Sequence, residues 1–298
     1  MSFLRGFVMK RYILIAFALV IASFSVKAQG EALVFTRTDL SPVLQGTAGA
    51  AVAADNGPWN AFGAAASGAY MDKKISAGAG FRSLSGNLLF NAAAGIALSD
   101  KMAVYVGGLY NAGAVVADYR TNFMIASAGF GMGITDRLSV GANVRYAGQS
   151  LTPENRYGGI SLDLSAGYRI LDNIGVIAGV STLGGKVASA TGETYPQPAR
   201  VYSGADYSAE LESIGTLNLD AMAEYYFSGN FAAAAGLRLC VMEYFNLRAG
   251  YRYATANCVL PTYFAVGGGA SVAGFNIDVT YMKYPGDSAV GLGVSYAF

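Results

Sequence analysis

From about residue 73 to its end the chain alternates apolar and polar residues in segments of roughly ten, separated by Gly, Asn, Asp and Ser. Leu217, Leu219, Ala221, Ala223, Tyr225 and Phe227 share one parity, with Asn218, Asp220, Met222, Glu224 and Tyr226 between them. The apolar parity from Ile160 to Ile170 alternates with Ser161, Asp163, Ser165, Gly167 and Arg169, and that from Phe245 to Tyr253 with Asn246, Arg248, Gly250 and Arg252. Neighbouring side chains of a strand point to opposite faces, so strict alternation predicts strands that separate two environments. Several segments exceed the ~5–6 residues of an ordinary soluble strand and suit the ~9–11 needed to cross a bilayer. A soluble sandwich would alternate as well, but charge is scarce outside one parity, and Tyr and Phe gather near the ends of the apolar faces as membrane girdles do. The pattern predicts an all-β, transmembrane antiparallel β-barrel of about fourteen strands over residues 73–298.

Composition removes the competitors. Apolar residues make up 53% of the chain and charged residues 13%, with a mean hydropathy of +0.37. A helical membrane protein would fit those values, yet beyond the N-terminus no apolar run reaches the ~18 residues of a spanning helix. The chain has 0 histidines, which excludes Ser-His-Asp and Cys-His chemistry and most zinc sites. No catalytic, cofactor-binding or metal-ligating residue is assigned, and a non-enzyme is expected.

Residues 1–28 read as an export signal. Met9-Lys10-Arg11 is basic, Tyr12 to Val26 is apolar apart from two serines, and Val26-Lys27-Ala28 places cleavage between Ala28 and Gln29. Losing Arg5, Lys10, Arg11 and Lys27 turns the formal net charge of +1 slightly negative, so no basic patch invites nucleic acid. At the other end, Val294-Ser295-Tyr296-Ala297-Phe298 alternates and closes on an aromatic. That ending resembles the signal that a bacterial barrel-assembly machinery reads, with Tyr296 and Phe298 as its aromatics. An even strand count puts both barrel termini in the periplasm and surrounds the wall with outer-membrane lipid.

Turn lengths set the register. Ser99-Asp100, Thr135-Asp136 and Asp172-Asn173 are tight and share one rim, whereas 113–122, 150–156, 183–198 and 255–261 are longer and share the other. The long 209–215 and the short 228–230 break this rule. On this register Cys240 and Cys258 sit at opposite ends of a band ~25 Å tall, out of disulfide reach. Arg145, Asp163, Arg169, Asp220, Glu224, Arg238, Arg248, Arg252 and Asp278 face the lumen, where opposite charges on adjacent strands would pair. Such a network fills the interior; the same residues could instead line a path for solute. Residues 29–72 lie outside the alternation, are rich in Ala and Gly, and are expected to fold into the lumen as a hatch around a turn at Trp59 and Asn60.

Two patches carry a resemblance. Gly46-Thr47-Ala48-Gly49-Ala50-Ala51-Val52-Ala53-Ala54-Asp55 followed by Trp59-Asn60-Ala61-Phe62-Gly63 resembles the N-terminal signature of the PorV/PorQ family, within the FadL-like barrels, with Ala61 where that family usually has proline. Ala223-Glu224-Tyr225-Tyr226 and Phe245-Asn246-Leu247-Arg248-Ala249-Gly250-Tyr251-Arg252 are similar to its C-terminal strands. The resemblance implies a fourteen-stranded outer-membrane barrel with an N-terminal hatch, acting without catalysis by binding components or cargo of type IX secretion. The alternative is a FadL-like channel for hydrophobic or small solutes, with the hatch as gate and an Ala/Gly-rich inner wall leaving room for passage.

Overall fold

A computed structural model describes residues 31–298 except 54–56, 72, 85–86, 117–118, 153–154, 190–191, 213 and 243. The expected leader and its cleavage point at Ala28 and Gln29 lie outside the described residues. The alternating segments form β1 (Ile75–Leu84), β2 (Asn87–Ser99), β3 (Met102–Val116), β4 (Tyr119–Gly133), β5 (Leu138–Ser150), β6 (Arg156–Leu171) and β7 (Ile174–Gly184). A short hairpin follows, β8 (Val187–Ala188) with β9 (Thr194–Tyr195). The wall resumes with β10 (Arg200–Leu211), β11 (Gly215–Tyr226), β12 (Phe231–Val241), β13 (Phe245–Ala254), β14 (Tyr263–Val272), β15 (Phe275–Tyr284) and β16 (Asp287–Ala297).

Fourteen of these strands make one closed antiparallel barrel: β7 pairs with β10, and β1 pairs with β16 to remove both edges. Closure leaves no backbone row facing lipid unpaired, the condition for a sheet to cross a membrane. Phe298 extends the seam, exchanging backbone hydrogen bonds of 3.0 and 2.9 Å with Ile75. Exposure is the reverse of a soluble domain. Ile160, Leu164 and Tyr168 point outward and are exposed, whereas Ser161 and Asp163 on the opposite face of β6 are buried.

Two connections differ from the sequence expectation. The chain from 113 to 122 is not a long loop, because Val115 pairs with Arg120 and Val116 with Tyr119, carrying the ladder onward past a register shift. The chain from 209 to 215 is tight, because Ala209 and Leu211 continue the outward parity of β10 and pair with Leu217 and Gly215. That rim therefore holds only short turns. The opposite rim mixes the longer 151–155, 185–199 and 255–262 with short connections, including 227–230. Cys240 and Cys258 are free thiols, one at the end of β12 near the short-turn rim and the other in the 255–262 connection.

The N-terminal segment fills the lumen. It lacks alternation and folds instead into single turns: Val34–Arg37, the one-turn helix Pro42–Gly46, Ala50–Ala53, Pro58–Ala61 and Ser67–Tyr70. Pro42 and Pro58 each open a turn, where a missing N–H costs nothing. Small residues on both sides let backbone press on backbone. A Cβ at Gly141 of β5 would overlap the Ala65–Ala66 peptide, and one at Gly250 of β13 would overlap Thr47. The small inner residues that the sequence suggested as room for passage are thus room for the hatch.

Candidate functional site

Inside the wall, charge is paired. Arg145 on β5 meets Asp163 on β6 at 2.5 Å, and Arg238 on β12 grips Asp220 on β11 through Nε at 2.7 Å and Nη2 at 3.0 Å. Arg200 of β10 pairs with Glu224 of β11. Each of these pairs joins neighbouring strands. The other pairs do not. Arg252 of β13 reaches across β12 to Glu224 at 3.0 and 2.9 Å, and Arg248 reaches across β14 to Asp278 at 2.5 Å. The strands in between carry only Ala232 and Ala234, or Gly267 and Gly269, under the crossing arms. Arg238 and Arg248 stand directly opposite each other in register, and each turns to the acid on its far side. Tyr226 completes the largest cluster, donating to Glu224 at 2.7 Å and accepting from Arg252 at 3.3 Å. Arg169 shares the inward parity but joins no described ion pair; it is exposed at the short-turn rim and donates to its own Asp172 carbonyl.

The wall holds the hatch by a different chemistry, aiming side-chain donors at hatch carbonyls. Asn143 donates to the carbonyls of Asn60 and Gly63 at 3.1 and 2.8 Å, and Arg145 to those of Thr36 and Phe62 at 3.2 and 2.9 Å. Asn91 donates to Leu40 at 3.2 Å, Ser127 to Ala61 and Tyr105 to Gly68. Trp59, buried, packs beside Ala93 and Tyr105, while the Asn60 side chain bonds Gly57 and Ser67 within the turn. Every described ion pair inside the barrel joins wall to wall, and none joins hatch to wall.

The two mouths contrast. The short-turn end opens as a polar vestibule of about 320 Å³ beneath Pro42 and Trp59, lined by Asn218, Asn246, Asn276 and Ser271. Toward the other end the hatch packs through apolar side chains. Leu33, Phe35 and Leu40 of the hatch pack on Leu89, Leu109 and Ile125, and Phe35 stacks on Phe123 at 4.2 Å between ring centroids. The 185–199 connection covers them, with Val187 in that cluster and Gln197 tied to Ile160 and Gly185.

Sequence reading passed over Arg37, Asp39 and Arg200. Arg200 shares inward parity with Tyr202 and could have been read from that alternation, but Arg37 and Asp39 belong to the hatch, where no period announces an orientation. Burial lifts the Asp39 carboxyl above its ordinary value, against the pull of nearby Arg252. Burial, then Arg200 and Arg145, bring Arg37 down to about 10, so it remains cationic at neutral pH.

With this geometry in hand, comparison with solved structures places the fold. The toluene transporter TbuX of Ralstonia pickettii superposes with a TM-score of 0.67 at 12% identity, over 89% of this chain and 100% of that one. The CymD monoaromatic hydrocarbon channel gives 0.61 at 14% identity over 90% and 99%, and a Pseudomonas aeruginosa FadL homologue 0.60 at 11% over 87% and 98%. The chain shares the barrel fold of these proteins. Residues from Ile75 to Phe298, turns included, make up only about three-quarters of the chain, so the superposed span reaches into the hatch. No protein-family model and no curated protein matches the sequence. Two of these neighbours are named as a transporter and a channel, and nothing among them supports the narrower PorV/PorQ resemblance.

Proposed function

We propose that the chain is a hatch-gated outer-membrane channel for hydrophobic or small solutes. The observation that carries this reading is the superposition on hydrocarbon transporters over a span that takes in both barrel and hatch. The interior adds a physical reason. Because the described ion pairs hold wall to wall, whereas hydrogen bonds and apolar and small-residue packing hold hatch to wall, the hatch can shift without breaking the barrel's charge network. The apolar cluster of Leu33, Phe35, Leu89, Leu109 and Ile125 offers a solute of low polarity a seat at one mouth, and the Asn- and Ser-lined vestibule offers water at the other. In this arrangement the short-turn rim and both barrel termini face the periplasm, and Tyr296 and Phe298 form the end that the assembly machinery reads. The secretion role rests on the two sequence patches alone.

The test is uptake. Cells lacking their own apolar-solute channels, with and without this protein, are given labelled toluene, a medium-chain alkane and a disaccharide. Faster entry of the apolar solutes alone supports the channel. Unchanged uptake together with stoichiometric co-purification of secretion components would replace it with the partner-binding reading.

A further inference from the structure

Between hatch and wall lies a cavity of about 40 Å³, room for roughly three water molecules. Arg37, Arg145 and Arg200 line it, with Asp39, Asp163 and Ser41. Its charge is unbalanced. Arg145 is matched by Asp163, and Arg200 and Arg252 share the single carboxylate of Glu224. Arg37 has no carboxylate within ion-pair distance among the described residues; it donates to Ser181 Oγ at 2.7 Å and Thr182 Oγ1 at 2.5 Å. The lining itself thus sets three guanidinium groups against two acids, and one of these, Asp39, is pushed by burial toward its neutral form. An unmatched buried cation costs several kcal/mol.

The lining also holds polar atoms without partners. Arg37 Nε, Arg145 Nε, Ser41 Oγ and Thr36 Oγ1 are buried and make no hydrogen bond, and all four side chains border this one cavity. Each can donate. Their residues are 2–4% exposed, so bulk water does not satisfy them. Donors in excess, positive charge in excess and a compact volume together define an anion site rather than a path.

We propose that this cavity binds a compact monovalent inorganic anion of the chloride class, which bridges Arg37 of the hatch and Arg145 of the wall. The ion supplies the ionic link between hatch and wall that side chains alone do not make. It sits at the joint where Arg145 also holds the Thr36 and Phe62 carbonyls, so its loss loosens the first turn of the hatch.

Bromide is the probe. Crystals of the full chain grown in bromide salt should show an anomalous peak in this cavity. Hatch melting, followed by Trp59 fluorescence at fixed sodium and ionic strength, should rise when chloride or bromide replaces gluconate. Ser41→Ala should weaken the halide dependence about ten-fold, as loss of one charge-assisted hydrogen bond does. Asp39→Asn, which removes a competing carboxylate, should strengthen it. A cavity holding water alone in bromide crystals, or hatch melting indifferent to halide in the native protein, overturns the proposal. So does a peak of equal height in Arg37→Gln, which would mark an adventitious ion only.

Discussion

Glu224→Gln is the sharpest test of what holds the barrel together. The carboxylate is fully buried and receives Arg200, both nitrogens of Arg252 and the Tyr226 hydroxyl. Glutamine keeps the shape but removes the charge, and turns an NH₂ toward a guanidinium. Two buried cations then lose their only paired acid. Breaking a buried pair costs about 3–5 kcal/mol, which for a chain of this size lowers the melting temperature by about 6–20 °C. Asp220→Asn should cost less, ~1–2 kcal/mol, because the Arg238 side chain is 19% exposed to the vestibule and water can take up its donors. Two probes separate the parts. The heat-induced shift in gel mobility reports the barrel, and the fluorescence of Trp59, the single tryptophan, reports the hatch. Replacing Glu224, Arg200 and Arg252 together by Leu, Met and Met should recover most of the loss, since an apolar trio leaves no charge stranded. A Glu224→Gln shift below about 2 °C, or a triple variant weaker than the single one, would refute the argument.

Three further outcomes follow from the same geometry. Gly141→Val places a side chain where the Ala65–Ala66 backbone lies, so the hatch should be displaced, giving red-shifted Trp59 emission and stable conductance in planar bilayers; a quiet bilayer with unchanged emission would show the contact is not restraining. A membrane-impermeant thiol reagent applied to intact cells should label Cys258 and miss Cys240, and the reverse pattern would invert the proposed orientation. Burial raises the Asp39 carboxyl above its ordinary 3.8, so the folded hatch favours the protonated acid: its stabilising share is complete below that value and is lost as pH rises through the folded value. Protection of hatch amides, taken relative to the intrinsic exchange rate at each pH, should therefore fall as pH rises, and Asp39→Asn should remove that fall.

The wall was legible because a barrel repeats one rule. Period-2 alternation assigns every residue of β11 or β13 to lipid or lumen, and nine charges were placed on the inner face from parity alone. Partner choice was less accessible. Arg252 and Arg248 each pass over a neighbouring strand, which depends on Ala232, Ala234, Gly267 and Gly269 lying low beneath them. Alternation reports a side, not how far an arginine extends along it. The 113–122 stretch was misread for a related reason. Gly, Ala and Asn suggest a loop, but Val115 and Val116 find partners at Arg120 and Tyr119, and cross-strand pairing outweighs local propensity.

The hatch was opaque for a deeper reason, and it bears on how the barrel works. Asn91, Ser127, Asn143 and Arg145 seize hatch carbonyl oxygens, groups that every residue carries. Recognition through the backbone leaves little trace in hatch side chains beyond a demand that they be small. Each neutral hydrogen bond of this kind contributes about 0.5–1.5 kcal/mol net, and the set can be released one bond at a time. The wall's ion pairs, costly to break singly, meet the hatch's hydrogen bonds at Arg145 and at Ser181, which Arg200 shares with Arg37. Stability therefore resides in one set of contacts and mobility in another. On the proposed channel reading, a solute that displaces Phe35 from Phe123 pulls first on the segment that Arg145 and Arg37 anchor, which makes that joint the point where opening would begin.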